Sequence, residues 1–254
     1  MSNRFFRPLF WPTLFTLLAL PVLIGLSLWQ LERLEWKEGL LAKIAERMTA
    51  DATPLPAPEQ WPTFDAREAE YTRVVLEGRF LPLEFHYFTQ GERGAPGYAV
   101  ISPLELAGGA LVFVDRGFVP VELKETAAHG GIPEGELRFT GILRAPSGRG
   151  MFDGADDPAK NVWMVRDPAI MGAGLGASLG ASLGTSLGDA RIAPFIVEAE
   201  AGAFSGEWPK AGRTRIDIPN NHLDYALTWG GLALVLIVIY VLYHRANGRI
   251  GRPR

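Results

Sequence analysis

No cysteine occurs anywhere in the chain. That excludes structural disulfides, thiolate nucleophiles, zinc ribbons, copper delivery through thiolates and covalent haem attachment through a C-x-x-C-H motif. Histidine is scarce too: His86, His129, His222 and His244 are the only four in 254 residues, so a histidine-rich metal cage has little support. Basic charge is not in excess, because 25 lysines and arginines meet 28 acids for a net −3. Nucleic acid needs a concentrated basic surface and is therefore set aside as a partner. No phosphate loop, H-E-x-x-H motif or nucleophile–base–acid set is present. The paired acids Asp156-Asp157 fall in a Gly/Pro-rich stretch and read as turn residues. Together these absences point away from an enzyme.

What the chain does have is a long apolar run near each end. The first covers about Leu9 to Leu31, interrupted only by Pro12, Pro21 and isolated threonines, and is long enough to cross a bilayer. Arg4 and Arg7 precede it, which a secretory signal peptide would also show. The run is too long for a usual signal core, and no small-x-small cleavage site follows it, so a retained anchor is the better reading. The leader also lacks the serine- and arginine-rich character of a mitochondrial transit peptide. The second run, His222 to Tyr243, is again roughly 20 residues with almost no charge. Arg245, Arg249, Arg252 and Arg254 lie just beyond it. Positive charge flanking a span is retained on the cytoplasmic side. The expected layout is a cytoplasmic 1–8, a first transmembrane helix over 9–31, a periplasmic domain over 32–221, a second transmembrane helix over 222–243 and a basic cytoplasmic tail over 244–254. The central domain then faces the bacterial periplasm or an equivalent compartment, and the expected membrane is a bacterial inner (plasma) membrane.

The central segment reads as β-rich. Leu40, Leu41, Ile44 and Met48 suit an amphipathic helix over about 36–48, and Pro54, Pro56, Pro58 and Pro62 then form a stiff linker. Short β-prone segments follow at 73–80, 98–101, 110–115, 137–143, 162–165 and 195–198, separated by Gly, Pro and Asp clusters. The fold class is membrane α+β: two terminal transmembrane helices flanking a mainly antiparallel extramembrane domain. A four-residue glycine repeat over 172–188 is expected to be a flexible loop, because each helical glycine costs about 1 kcal/mol relative to alanine.

Two clusters stand where the spans meet the outer interface. At i, i+3 and i+7, His222, Tyr225 and Trp229 share a helix face, preceded by Asn220 and Asn221. At the outer end of the first span Trp29, Arg33 and Trp36 share a face, flanked by Gln30 and Lys37. An aromatic belt with interfacial cations accounts for such residues on any membrane helix. Two such clusters at one depth would also cradle a planar amphipathic ligand. An imidazole is a competent axial ligand for haem iron. In that reading His222 is the ligand, Arg33, Lys37 or Arg116 pairs with propionates, and Trp29 or Trp229 packs on the macrocycle. The bland alternative has His222 helping the asparagines cap the helix. For Arg116, in Val114-Asp-Arg-Gly117, it is a structural salt bridge at a tight bend. His86 and His129 read as surface residues, and His244 as an anchor beside the terminal arginines.

Four motifs, in order, resemble the Surfeit locus protein family, the Shy-type assembly factors of cytochrome c oxidase. They are Gly25-Leu-Ser-Leu-Trp-Gln-Leu-Glu-Arg-Leu-Glu-Trp-Lys37, Gly97-Tyr-Ala-Val-Ile-Ser-Pro103, Val114-Asp-Arg-Gly-Phe-Val-Pro120 and Asn220-Asn-His-Leu-Asp-Tyr-Ala-Leu-Thr-Trp229. The resemblance implies a non-enzymatic membrane protein that helps insert or retain haem a in the oxidase's catalytic subunit. A separate haem a synthase would supply the haem, and membrane lipid would surround the spans. The histidine implicated in haem binding in bacterial members corresponds to His222. Two positions depart from the family: Phe118 stands where tryptophan is usual, and Asp224 where glutamine is common. The runner-up reading is a scaffold that stabilises the nascent oxidase subunit without binding haem.

Overall fold

The structure is a computed structural model and describes residues 7–91, 94–126, 130–151, 153–179, 190–212, 214 and 220–250. Its elements in chain order are α1 (Phe10–Thr49), β1 (Thr53–Pro54), β2 (Arg73–Phe80), β3 (Phe85–Gln90), β4 (Pro96–Leu106), β5 (Leu111–Pro120), β6 (Glu136–Arg144), β7 (Val162–Trp163), α2 (Pro168–Leu179), β8 (Ile192–Ala199) and α3 (His222–Ala246). They form two compact units, Met1–Lys43 with Ile216–Arg254, and Ile44–Arg215.

The first unit is the pair α1 and α3. Both helices are long and apolar enough to cross a membrane, at 40 and 25 residues. Their outward side chains are apolar, among them Phe15, Leu17, Leu18, Leu227, Leu234 and Ile239, all exposed. A soluble protein does not normally expose an apolar surface this continuous. Between the helices small side chains allow close approach: Ala226 and Ala233 are buried, and a Cβ on Gly230 would sit 3.3 Å from Ser27 Oγ. Hydrogen bonds add to this packing. Ser27 Oγ donates to the carbonyl of Ala226 at 2.9 Å, and the hydroxyls of Thr13 and Tyr240 meet at 2.9 Å.

His244, expected as an anchor beside the terminal arginines, is instead drawn in between the two helices. It is fully buried. Its Nε2 accepts from the backbone N–H of Leu9 at 3.0 Å, and its Nδ1 donates to the Tyr240 carbonyl at 2.9 Å. The N–H groups of a helix's first turn have no partner within the helix. The imidazole satisfies the N–H just ahead of α1 from across the pair, which draws the ring inward.

The second unit is built on one eight-stranded sheet in the order β1-β2-β6-β8-β5-β4-β3-β7. A further β2–β4 pairing closes β2, β6, β8, β5 and β4 into a ring. Written in chain order this is the five-stranded Greek-key barrel of OB type, which carries no function by itself. The expectation of a mainly antiparallel sheet needs correcting. The sheet is mixed, with β1–β2, β5–β8 and β3–β7 parallel. Long connections set this arrangement: the chain leaves β5, builds β6 and β7, and returns through α2 so that β8 runs alongside β5. Parallel neighbours require such a crossover. At Gly78, which is flanked by Leu137 of β6 on one edge and Leu106 of β4 on the other, a Cβ would collide with the carbonyl of Glu105, so glycine lets the ring close.

β5 explains how the domain makes its core. Val112 and Val114 enter one apolar cluster with Val74, Leu76, Phe139, Phe195 and Val197. Leu111 and Phe113 enter a second with Ile101, Ile196, Trp163 and Met171. A strand buried on both faces reads as a continuous apolar run, which Leu111–Val114 is.

The glycine-rich stretch differs from the expected loop in its first part. Pro168–Leu179 is helical. Proline at its first position and Asp167, whose carboxylate accepts from the Ala169 N–H at 2.8 Å, start the helix. Met171, fully buried in the second cluster, docks it. Tertiary packing thus offsets the low helix propensity of glycine. Residues 180–189 lie outside the described residues. The amphipathic helix expected at 36–48 is the unbroken continuation of α1, and β3 and α2 are elements that sequence reading did not anticipate.

Candidate functional site

The site begins at the first turn of α3. Asn221 precedes the helix without a side-chain capping bond, and His222 is its first residue. Instead of capping, the imidazole reaches across the pair: Nδ1 of His222 donates to Oε1 of Gln30 on α1 at 2.7 Å. Gln30 is only 9% exposed, an uncommon position for an amide unless it is hydrogen-bonded. Asp224 sits in the first turn, where the helix dipole favours an acid.

The other predicted residues of this unit lie close by in sequence on the same two helices. Trp29, Trp36 and Tyr225 are each a little over half exposed, at 53%, 54% and 54%. Arg33 is exposed and lies over the Trp36 ring, its guanidinium carbon 3.9 Å from the centroid. Trp229 and Lys37 are half-buried. The structure therefore joins the histidine of α3 to α1 through Gln30, and leaves Trp29, Arg33, Trp36 and Tyr225 exposed. Gln30 was legible only as a flanking residue. Ser27, one turn away and bonded to Ala226, was not singled out at all; a polar residue inside an apolar run was its signal.

Arg116 belongs to the second unit and is 1% exposed. Its guanidinium donates to Glu84 at 2.5 Å, to Ser102 Oγ at 3.3 Å and to the Gly131 carbonyl at 2.5 Å. Burial pushes its pKa down from the ordinary value, against the opposing charge and hydrogen bond of Glu84. The side chain is turned into the domain interior. Its neighbour Asp115 accepts from the Gly117 N–H at 3.0 Å, which shapes the bend that the motif forms.

His86 is a further correction: it is buried, not a surface residue. Its Nδ1 lies 3.0 Å from the Asn161 amide nitrogen, whose side-chain oxygen accepts from Trp163 Nε1 at 3.0 Å. The pairing of β3 with β7, His86 opposite Val162, draws it inward. His129 lies outside the described residues.

The second unit also holds a polar cavity of about 330 Å³, lined among others by Tyr87, Asp115, Arg144, Arg166 and Glu198. Glu198 is its hub. Arg144 donates to both carboxylate oxygens at 2.9 and 3.0 Å, and Arg166 and Thr214 also donate to it. Burial alone would push the Glu198 carboxyl up; Arg166, Arg144 and Thr214 outweigh it and hold the carboxyl below its ordinary value.

Among the described residues no group of three or more His, Cys, Asp or Glu is placed to hold a bare metal ion. A haem iron asks less of a protein, a single imidazole with flat apolar surfaces for the ring. His222 offers an imidazole at the start of α3, and Trp29, Trp36 and Tyr225 are exposed on the same two helices.

Two long apolar terminal helices, each a candidate membrane span, flank a sheet-rich domain. The chain belongs to the SURF1 family, whose model matches residues 17–234. It is 28% identical over 247 residues to the SURF1-like protein of Monosiga brevicollis, covering 91% of this chain and 87% of that protein. It is 29% identical over 240 residues to Surfeit locus protein 1 of Homo sapiens, covering 85% and 72%. It is 28% identical over 239 residues to the SURF1-like protein of Rickettsia felis, covering 91% and 96%. None of these names denotes a catalytic activity. The match to a bacterial relative and the two candidate membrane helices fit a membrane protein.

Proposed function

We propose that this protein is an assembly factor for cytochrome c oxidase that binds haem a and aids its insertion or retention in the catalytic subunit. α1 and α3 cross the bacterial inner membrane, both termini are cytoplasmic, and the β-barrel domain lies in the periplasm. The arginines beyond each apolar run support this orientation. The observation that carries the proposal is the His222–Gln30 hydrogen bond, which ties the one histidine at the start of α3 to the tryptophan-bearing turns of α1.

In this reading His222 would hold the haem iron, and Trp29, Trp36, Tyr225 and Trp229 would offer flat apolar surfaces to the ring. Arg33 and Lys37 neutralise propionates. Arg116 is left out of the set, because Glu84, Ser102 and Gly131 already hold its guanidinium in the interior. When bound, haem supplies an iron that accepts one protein nitrogen, and no covalent bond to the chain forms. The haem is made by a separate haem a synthase.

The test is the haem a content of oxidase purified from cells that carry His222→Ala in place of wild type. A fall in haem a per catalytic subunit, at equal abundance of the assembly factor, is expected. Oxidase with unchanged haem a content would leave a scaffold role without haem as the better account.

A further inference from the structure

Gln30 does more in this geometry than hold two helices together. A neutral imidazole carries its single proton on either Nδ1 or Nε2, and the hydrogen bond made by one nitrogen decides which. The amide oxygen of Gln30 can only accept, and it lies 2.7 Å from Nδ1 of His222. With that acceptor, a neutral His222 carries its proton on Nδ1 and keeps the lone pair on Nε2. Imidazole free in water favours the opposite tautomer, so the protein has selected the less common form. Gln30 is well placed to enforce this. It is buried at 9% exposure, and Ser27, bonded to the Ala226 carbonyl at 2.9 Å, fixes the spacing of the two helices one turn away.

We propose that Gln30 is the positioning residue of this site: it locks His222 in the Nδ1–H tautomer and so keeps Nε2 as the lone-pair nitrogen available to an electrophilic iron. The role toward haem rests on the function proposed above; the tautomer itself does not. A plain interhelical hydrogen bond would need only a partner for Gln30. It would be served equally by a residue that bonds either ring nitrogen.

The experiment uses the full chain in detergent, labelled with 15N-histidine, at a pH of about 8.5, where imidazole is neutral. Loss of one pair of ring-nitrogen signals in His222→Ala assigns His222 and separates it from His244, whose Nδ1 also donates a hydrogen bond. In wild type the His222 signals are expected to show a protonated Nδ1 and an unprotonated Nε2. Gln30→Leu removes the acceptor at similar volume and should shift the pair toward the Nε2–H form. Gln30→Glu keeps an acceptor and should retain the Nδ1–H form, which separates positioning from loss of folding. Titration with haem a should then show Gln30→Leu weakened by about 10- to 100-fold, the usual cost of losing an outer hydrogen bond to a metal ligand, with Gln30→Glu much closer to wild type. A wild-type His222 protonated on Nε2, or a Gln30→Leu spectrum unchanged from wild type, overturns the proposal. The expected tautomer without any haem binding by wild type would overturn the haem reading, and the positioning role with it, while leaving the hydrogen bond standing.

Discussion

Replacing Glu198 by glutamine removes one negative charge from the most heavily bonded carboxylate of the barrel domain. Its side chain is 11% exposed and faces Arg144 at 17% and Arg166 at 12%. Attraction between buried charges is large but is offset by desolvation, so the intact network is not itself a measure of stability. Removing one partner is different, because the remaining charges stay buried. That typically costs about 3–5 kcal/mol. Arg144 would keep Glu70 at 3.1 Å, and Arg166 would keep Asp115 at 3.9 Å. The low end, about 3 kcal/mol, is therefore expected. The assay is urea unfolding of the full chain in mild detergent, followed by tryptophan fluorescence, with the midpoint shift converted through the slope. The pH dependence gives a second arm. The folded-state carboxyl is held below its ordinary value, so its contribution is fully present above the ordinary carboxylate range and is lost as pH falls through the depressed folded value. Wild type should lose stability on acidification below pH about 4.3, and the Glu198→Gln difference should shrink there. A difference under about 1 kcal/mol at neutral pH, the range of an exposed ion pair, would refute the account of the hub.

Three further outcomes are expected. Ser27→Cys with Gly230→Cys should form an interhelical disulfide on mild oxidation of membranes, because Oγ lies 3.3 Å from the Cβ position and the chain has no other cysteine; failure to cross-link would contradict the helix pairing. Met171→Ala should destabilise the barrel domain by about 2–3 kcal/mol in the same unfolding assay, as for other fully buried methionines; a negligible effect would return the start of the glycine-rich stretch to a loose loop. Reporter fusions after Arg254 should be active only with a cytoplasmic reporter and fusions near Gly180 only with a periplasmic one; the reverse at Gly180 would place the barrel domain in the wrong compartment for the proposed site.

Much of this was legible in the sequence because burial follows pattern. The run from Arg73 to Phe80 alternates buried and less buried residues and matches β2 end to end. The two apolar runs stand out by length alone. Other features were hidden because their cause lies far along the chain. Closure of the barrel depends on β2 meeting β4 at Gly78, and the parallel β5–β8 pairing depends on a crossover that no local pattern reveals. α2 contradicts its own glycine content and exists through its capped start and the docking of Met171. At the site, His222, Tyr225 and the tryptophans were visible by helical spacing. Gln30 was not, since its role comes from a contact across nearly two hundred residues of chain. His86 and His244 were misplaced for the same reason: a histidine's burial is decided by the partner it finds.

The claim at the centre of the account is that His222 ligates haem, and absorbance spectroscopy of the protein purified in detergent after co-expression with haem a synthesis tests it most directly. Wild type should carry a Soret band, and His222→Ala should lose or strongly shift it while circular dichroism stays unchanged. An unchanged Soret band and full haem occupancy in His222→Ala would contradict the claim.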